Sequence, residues 1–315
     1  MSIRLGVVMD PLSSIHFKKD STLAMLWEAE KRGWVIYYFQ PQDLSISNGK
    51  PYGMARVLHL THDEAHWHRL DAPAFMPLAE LDIILMRQDP PVNDVYLYTT
   101  YILEHAERLG VFVANRPQAV RDANEKLFAT LFPECTPTHL ATADRAQLHA
   151  FLSEHKDIVC KPLNSMGGTS IFRVKSGDVN ANVIFDTLTF GGQITIMAQV
   201  FLPAISAGDK RILMINGEPI PYALARVPQG NEWRGNLAVG AKGVVQALSD
   251  ADRRIASIVG PELRERGLYF VGLDIIGEHL TEINVTSPTG VRDIEAATQF
   301  NAASALLDCL IKLKH

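Results

Sequence analysis

The sequence predicts an α/β (α+β) protein, and two patterns support this fold class. In the first third of the chain, short apolar runs alternate with segments of helical spacing, which is typical of an open parallel sheet. Farther on, apolar runs follow one another across turn signals such as Asn216-Gly217, which is typical of antiparallel hairpins. A chain of 315 residues can bury a full core and form two or three domains.

Roughly the first 120 residues contain four predicted strands and two predicted helices. Both helices carry apolar residues at helical spacing, and they end at Gly33 and Gly110, because glycine readily adopts the conformation that closes a helix. We expect the strands at 3–9, 34–40, 82–86 and 111–114, and the helices at 21–33 and 96–110. This alternation predicts an open parallel sheet.

Beyond residue 124 the pattern changes to shorter strands and one long loop. Residues 226–243 are rich in Gly, Asn and Pro, and a loop of that length is usually functional or disordered. Ser249 is the predicted N-cap of a helix that runs to about Arg266. The other expected elements are helices at 126–132 and from 295 onward, and strands at 158–161, 170–174, 194–201, 211–215, 272–276 and 280–285.

Composition argues against several classes of protein and partner. The net charge of −5 gives no reason to expect a nucleic-acid partner. Cys135, Cys160 and Cys309 show no paired spacing, which argues against a disulfide framework and for a reducing cytoplasm. The N-terminal apolar run stops at Asp10, and no run approaches the ~20 residues that span a bilayer. The sequence therefore predicts a cytoplasmic protein without a membrane partner.

The segment LTEINVTSP, residues 280–288, alternates like a half-buried strand but carries polar groups on one face. Glu282 and Asn284 share that face, because side chains at i and i+2 point the same way. A three-residue turn at 277–279 would bring Asp274 nearly opposite Glu282. Two carboxylates and an amide oxygen are ligands that suit Mg²⁺ or Mn²⁺. The alternative is an exposed polar face of a hairpin, and this segment alone does not decide between them.

A second polar feature is the strand–turn–strand segment CKPLNSMGGTSIF, residues 160–172. Lys161 ends the first strand, and backbone N–H groups in the Gly-Gly turn can cradle a phosphate that a lysine neutralises. The spacing is not that of a Walker A loop. The simpler interpretation is a structural turn, and by default Lys126 would lie on a solvated helix face.

Together these segments resemble the ATP-grasp superfamily and, within it, the bacterial glutathione synthetases. The similarity is carried by Lys126, by KPLNSMGGTSIF, by QVFLP at 199–203, by the segments 208–226 and 272–290, and by two N-terminal segments at 4–22 and 84–104. The resemblance implies an ATP-grasp fold with an N-terminal open parallel α/β domain at 1–122. A central lid domain at 123–203 and a C-terminal mixed-sheet catalytic domain at 204–315 would hold ATP between them.

The resemblance also implies roles for individual residues. Those implied to bind ATP are Lys126, Lys161, Met166, Gly167, Gly168, Gln199, Val200, Phe201, Leu202 and Asp209. Those implied to hold metal ions are Asp274, Glu282 and Asn284. The implied substrate-binding residues are Arg211, Arg226, Asn236 and Ser287, and the implied catalytic residues are Arg211, Arg226 and Arg234. The loop around Gly235 is implied to close over the site.

The implied reaction joins γ-glutamylcysteine to glycine with ATP and yields glutathione, ADP and phosphate. A carboxylate is a poor acyl donor, so its phosphorylation to an acylphosphate supplies a leaving group that an amine displaces. Metal ions, Lys and Arg would spread the charge of the γ-phosphoryl group. A mobile lid would keep water from the acylphosphate. The resemblance further implies a homotetramer, and no residue is identified as a general base.

The phosphate loop departs from the family pattern, because Asn164 and Ser165 replace the usual Asp and Gly. If the loop needs a positive φ at 165, the Cβ of Ser165 carries a local cost that would affect ATP affinity.

Two other functions and one other site stay open at this stage. A different ATP-grasp carboxylate–amine ligase would keep the metal ligands but differ at the two arginines and the lid. A nucleotide-binding regulatory protein would lack turnover. The histidines at 59, 62, 66 and 68 suggest either a zinc site or a surface or dimer segment, and their order does not match H-E-x-x-H. Cys160 is interpreted as a buried small hydrophobic residue.

Overall fold

Three separate β-sheets, formed in order along the chain, organise the fold. The computed structural model describes residues 2–230, 232–237 and 240–314. The loop expected at 226–243 is therefore described in part, because Asn231, Ala238 and Val239 lie outside the described residues. Across the described ranges, no helix combines the length and apolar character needed to cross a membrane.

The N-terminal sheet has eight strands and combines a parallel centre with an antiparallel extension. Its strands are β1 (Arg4–Val8), β2 (Val35–Phe39), β3 (Leu44–Ser47), β4 (Lys50–Leu60), β5 (His68–Leu70), β6 (Ala74–Pro77), β7 (Ile83–Met86) and β8 (Phe112–Ala114), and the helices around it are α1 (Ser21–Lys31), α2 (Asp94–Arg108) and α3 (Pro117–Asp122). Strands β2, β1, β7 and β8 are parallel neighbours. Strand β4 runs antiparallel to β2 and pairs with β3, β5 and β6.

The prediction of an open parallel sheet is right for four strands but misses the antiparallel extension at 44–77. A signal for it was present, because Asn48-Gly49 forms the tight turn between β3 and β4 with φ of 51° and 75°. The two predicted helices are confirmed, although α2 begins at Asp94, where the side chain of Asn93 caps it by accepting from the Tyr96 N–H at 3.1 Å.

The central sheet is antiparallel, with the order β11-β10-β12-β9. Its strands are β9 (His139–Thr142), β10 (Asp157–Pro162), β11 (Phe172–Lys175) and β12 (Ile196–Val200), and its helices are α4 (Arg145–His155) and α5 (Ala181–Thr189). The helix predicted at 126–132 is wrong. A turn at 125–127 leads there into a short 3-10 helix, Phe128–Leu131.

The C-terminal sheet is antiparallel throughout, with the order β15-β14-β13-β16-β17. Its strands are β13 (Asp209–Ile215), β14 (Glu218–Val227), β15 (Lys242–Ala247), β16 (Phe270–Ile276) and β17 (His279–Asn284), and its helices are α6 (Asp250–Arg266), α7 (Val291–Thr298) and α8 (Ala302–Lys314). Ser249 caps α6 as predicted. The predicted C-terminal helix begins earlier, at Val291, and is divided at Gln299, whose φ is 63°.

The central sheet has a hydrophobic core of its own, whereas the N-terminal and C-terminal sheets share theirs. The central core contains Phe151, Ile158 and Phe185. Each of the two other clusters combines residues of both outer sheets, as Leu5 and Leu306 do in one of them. The first and last parts of the chain are therefore one packing unit.

Two polar contacts join the same two parts. Asn115, directly after β8, donates through Nδ2 to the carbonyls of Phe270 and Val285 and accepts from the Phe270 N–H, each at 2.8 Å. Arg32, at the end of α1, donates to Asp308 on α8 at 2.7 Å. These bonds span most of the chain and hold the C-terminal sheet against the N-terminal one.

The Asn216-Gly217 turn packs tightly against α6. A Cβ on Gly260 would lie 2.2 Å from the carbonyl oxygen of Gly217, which is a backbone atom with little freedom to move. Alanine normally favours a helix over glycine by about 1 kcal/mol, so this contact reverses the usual preference.

We expect Gly260→Ala to lower the free energy of unfolding by about 1–3 kcal/mol, because overpacking outweighs helix propensity. The measurement is the shift of the urea unfolding midpoint. Ser257→Ala, at an exposed position of the same helix, should change the free energy by no more than about 0.5 kcal/mol. Equal midpoints for the two variants would contradict the close approach.

Candidate active site

Two adjoining cavities lie where the C-terminal sheet faces the loop after β10. The first, of about 190 Å³, is lined by nine of the expected residues: Met166, Gly167, Arg211, Arg226, Asn236, Asp274, Glu282, Asn284 and Ser287. The second, of about 70 Å³, is lined by eight: Lys161, Gln199, Phe201, Leu202, Asp209, Arg234, Asn236 and Glu282. Lys126 and Gly168 line neither cavity but contact residues that do. Val200 is the remaining expected residue, and it lines neither cavity.

Two arginines and two aspartates form a buried ion-pair network across β13, β14 and β16. Arg211 donates through Nε and Nη2 to the two carboxylate oxygens of Asp274, at 2.8 and 2.7 Å. Arg226 Nη2 lies 2.9 Å from Asp274 Oδ2 and donates to Asp209 Oδ2 at 2.5 Å. Strand register produces these pairs, because Arg211 lies opposite Asp274 and Asp209 lies opposite Arg226. The network fixes two guanidinium groups at the cavity wall.

The pKa values of the two aspartates of this network are shifted in opposite directions. Burial opposes ionisation of Asp274, but the guanidinium groups of Arg211 and Arg226 outweigh it and lower the pKa of that carboxyl. At Asp209 burial prevails and raises the pKa to about 6. Asp209 Oδ1 is buried and has no hydrogen-bond partner within the described ranges. Asp274 is therefore a permanent carboxylate, while Asp209 keeps one oxygen for a donor on a ligand.

Glu282 joins two buried lysines. Lys126 Nζ lies 3.1 Å and Lys161 Nζ 3.9 Å from Glu282 Oε1, and Lys126 also donates to the carbonyl of Ser165 at 2.8 Å. Burial lowers the pKa of Lys161, and the charge of Glu282 opposes that effect. The default expectation of a solvated Lys126 is wrong, because this residue is only 4% exposed. The pair of lysines concentrates positive charge beside the phosphate loop.

The hairpin that carries the expected metal ligands has the predicted register, but its turn differs from the predicted one. Its turn has two residues, Gly277 and Glu278, instead of three. A bulge after Asp274 adds the residue that returns Asp274 to a position opposite Glu282. Asn284 donates through Nδ2 to the Gly272 carbonyl at 3.2 Å. No described residue donates a hydrogen bond to the side-chain oxygen of Asn284.

Asp274, Glu282 and Asn284 therefore line one cavity with hard oxygen ligands, and this donor set fits a divalent cation. Among the described residues, no group of three or more His, Cys, Asp or Glu is arranged to hold a metal ion. A metal ion here would accordingly complete its shell with oxygens from a substrate or from water.

The histidines at 59, 62 and 66 each contact a different residue. His59 pairs with Asp71 at 2.9 Å, His66 lies 3.3 Å from Asp63, and His62 packs on the Trp27 ring. The arrangement supports the surface interpretation over a zinc site.

The loop after β10, which contains Gly167 and Gly168, is called the phosphate loop. It is in direct contact with the loop after β14, which contains Arg234 and is called the lid loop. Gly167 and Gly168 have φ of 64° and 81°. Arg234 Nη1 donates to the Gly168 carbonyl at 2.8 Å, while its Nε and Nη2 donate to Glu232 at 2.9 and 2.7 Å. These arginine contacts lower the pKa of Glu232 to about 2. Ser165 does not have a positive φ, so the local strain considered for this position is absent.

Part of the second cavity is walled by apolar side chains, and this cavity is called the apolar slot. Its walls include Val159, Ile171, Phe201, Leu202 and Trp233. The N–H groups of Val200 and Phe201 already donate to the carbonyls of Thr138 and Asp157, each at 3.0 Å, and no described residue accepts from the Leu202 N–H. Val200 does not line the slot, which separates it from the other expected ATP-binding residues.

Two acidic residues that contact the site were not among the expected site residues. Glu125 Oε1 accepts from the N–H groups of Val285 and Thr286 and from Thr286 Oγ1, at 3.0, 3.2 and 2.9 Å. Burial raises the pKa of Glu125, and the charge of Glu282 adds to it. Asp89 accepts from the Ser287 hydroxyl. Glu125 adjoins Lys126 and Asp89 precedes two prolines, but neither position indicates the distant strand that each residue contacts.

Proteins named glutathione synthetase resemble the chain over almost its full length. That of Pseudomonas aeruginosa is 54% identical over 310 residues, and that of Escherichia coli is 51% identical over 308, each alignment covering 98% of both chains. The structure of D-cycloserine synthetase DcsG has a TM-score of 0.69 at 12% identity and covers 99% of this chain and 100% of its own. The ATP-grasp ligase PsnB with its minimal precursor has a TM-score of 0.66 at 18% identity, with full coverage of both. These structural matches confirm the ATP-grasp fold.

Two family models divide the chain between them. The N-terminal domain of prokaryotic glutathione synthetase matches residues 3–121, and the ATP-grasp domain of prokaryotic glutathione synthetase matches residues 125–299. The chain belongs to the prokaryotic glutathione synthetase family.

Proposed function

We propose that this site joins γ-glutamylcysteine to glycine through an acylphosphate while ATP becomes ADP and phosphate. Family membership makes the chain an ATP-dependent ligase of glutathione synthesis. The observation that carries our assignment of the site is that four buried cations surround two carboxylates on neighbouring strands, beside an apolar slot. These cations are Lys126, Lys161, Arg211 and Arg226.

The apolar slot is proposed as the seat of the adenosine part of ATP. Phe201 and Leu202 offer apolar walls for a flat base, and the Leu202 N–H is a donor for a ring nitrogen. The unpartnered Oδ1 of Asp209 is an acceptor for a ribose hydroxyl. Lys126 and Lys161 lie where the slot meets the larger cavity, and this supports assigning them to the phosphates. Met166, Gly167, Gly168, Gln199 and Val200 complete the proposed ATP-binding set.

The family implies a divalent metal ion, and we propose Mg²⁺ or Mn²⁺ at Asp274, Glu282 and Asn284. When bound, it would screen the charge of the phosphate oxygens. Both carboxylates are kept ionised by their own partners: burial opposes ionisation, but the arginines at Asp274 and the lysines at Glu282 outweigh it and lower each pKa. Hard, permanently charged oxygens support this assignment.

Arg211 and Arg226 are proposed to bind the peptide carboxylate and the transferred phosphoryl group. Their ion pairs with Asp274 already fix their orientation. Donors that are held in place before the reaction stabilise developing charge without reorganisation. Arg234 is the third proposed catalytic residue, held near the phosphate loop by Glu232 and by the Gly168 carbonyl. Asn236 and Ser287 line the same cavity and are proposed to contact the peptide.

Other features of the proposal concern the whole molecule. We propose three domains at 1–122, 123–203 and 204–315, each containing one of the three sheets, with a hydrophobic core shared between the first and the third. The homotetramer follows from the family resemblance. A cytoplasmic location is supported by three cysteines that are free thiols.

The test of the activity is phosphate release from ATP with γ-glutamylcysteine and glycine, each omitted in turn, in the presence and absence of Mg²⁺. We expect release only when both substrates and the metal ion are present, with one glutathione formed per phosphate. Release with another acid and amine but not with this pair would discard the glutathione assignment. ATP binding without turnover of any pair would favour a regulatory protein.

We expect Glu282→Ala to reduce kcat by at least about 10²-fold, because it removes a proposed metal ligand and leaves two buried lysines without their carboxylate. It should also weaken Mn²⁺ binding, measured by electron paramagnetic resonance in the presence of ATP. Glu278→Ala removes an exposed carboxylate from the turn of the same hairpin and should change neither quantity. An active Glu282→Ala enzyme with normal Mn²⁺ affinity would sink the metal assignment.

Gly168→Ala tests the contact between the phosphate loop and the lid. A Cβ at this position would lie 2.6 Å from Asn236 Oδ1. We expect KM for ATP to rise by at least about tenfold, because the lid loop is displaced from the phosphate loop. Gly177→Ala is the matched control, since its φ of 86° imposes the same backbone strain but its Cβ would meet no atom within 4 Å. Similar KM values for the two variants would contradict the role of this contact.

A further inference from the structure

A separate cavity of about 410 Å³ lies between α1, α7 and the segment before β5. As far as the chain is described, it shares no lining residue with the two cavities of the active site. Trp27 and Lys31 contribute from α1, Arg292 from the first turn of α7, and His62 from the connecting segment. The Val291 N–H donates to Ser21 Oγ at 3.2 Å, so the two helices that form the walls are joined at their N-terminal ends.

Arg292 carries a charge that the described protein does not compensate. Its guanidinium carbon lies 4.7 Å from the centre of the Trp27 ring. One of its nitrogens, Nη1, is buried and has no acceptor, and no carboxylate of the described residues forms an ion pair with it. A partly buried guanidinium without a counter-ion is unfavourable, so a bound anion would stabilise this arrangement.

The other charged groups of the cavity are one lysine and two carboxylates. The side chain of Lys31 is 78% exposed, and its Nζ lies 3.9 Å from Glu28 Oε2. Glu28 is already occupied, because it accepts from Arg32 Nε at 2.8 Å and from Asn301 Nδ2 at 3.1 Å. Glu295 is the other acid of the lining. Arg32 also pairs with Asp308, so these charges balance, and Arg292 is the lining cation that forms no ion pair with a described residue.

The Trp27 ring supplies a flat wall beside these cations. His62 packs on it with ring centres 4.8 Å apart, and its indole N–H donates to the Thr61 carbonyl at 3.2 Å. The ring is therefore held from two directions by the segment around His62.

We propose that this cavity is a second ligand site, which binds a small anion with carboxylate or phosphate groups through Arg292 and Lys31 beside Trp27. The site is independent of the ATP site in its residues. It is connected to the active site along the chain, because α7 begins directly after the segment that contains Ser287 and Thr289, which line the larger catalytic cavity.

The test uses the full-length protein labelled with 5-fluorotryptophan, which gives one ¹⁹F NMR signal for each of the four tryptophans. Trp27→Phe identifies the signal of Trp27. Sodium phosphate and sodium citrate are titrated separately, with chloride added to keep the ionic strength constant. The phosphate arm and the citrate arm distinguish a phosphoryl ligand from a carboxylate ligand. The signals of Trp34, Trp67 and Trp233 report whether each variant keeps its fold.

We expect a saturable shift of the Trp27 signal with at least one of the two anions. Arg292→Gln should weaken the binding by at least about tenfold, because it removes a charge-assisted hydrogen bond. Lys31→Gln should weaken it by about two- to threefold, as is usual for an exposed charge. Lys175→Gln removes an exposed charge from the central sheet and should have no effect.

Two outcomes would overturn the proposal. One is a Trp27 signal that shifts with neither anion. The other is an Arg292→Gln variant that keeps the other three signals and titrates as the unmodified protein does. If Arg292→Gln does not fold, Lys31→Gln becomes the test variant. An anion affinity of Lys31→Gln equal to that of Lys175→Gln would then contradict the site.

Discussion

The buried ion-pair network of β13, β14 and β16 is the constraint on which the active site depends. Asp274 is 3% exposed and Arg226 is 5% exposed, so each has lost most of its contact with water and needs its partner. Removing one member of such a pair typically costs about 3–5 kcal/mol, a large share of the stability of an ordinary domain. The register of the sheet is therefore tied to the position of the proposed catalytic groups. A slip by one residue would separate Arg211 from Asp274 and leave both charges unpaired.

Much of this arrangement could be predicted from local sequence. Alternation along β17 identified the face shared by Glu282 and Asn284, and Asn216-Gly217 identified a hairpin. The opposition of Asp274 and Glu282 was predicted correctly although the turn is one residue shorter than expected, because the bulge compensates for it. A bulge has no strong signal of its own in one sequence, so this agreement depended on two errors that cancel.

The missed features depend on contacts between distant segments. The local pattern alone placed Lys126 on a solvated helix face, and the family resemblance assigned it to the site. Its burial results from Glu282 and from the loop at Ser165. Glu125 holds the backbone of Thr286, which lies 161 positions away. The antiparallel extension of the first sheet, in contrast, had a local signal in the sequence. Asn48-Gly49 marked its first turn, and the short strands around it lack the continuous apolar runs of the parallel centre.

The shared core of the two outer sheets also has a consequence for synthesis on the ribosome. Leu5 and Leu26 pack in the same cluster as Leu306 and Leu310, so the first sheet cannot complete its core until the last helix has been made. At about 5–20 residues per second, the ~200 residues that follow the first sheet take roughly 10 to 40 s to synthesise. During that interval the nascent N-terminal segment exposes the apolar face that α8 later covers. The central sheet, whose core is its own, is free to fold while the first sheet waits.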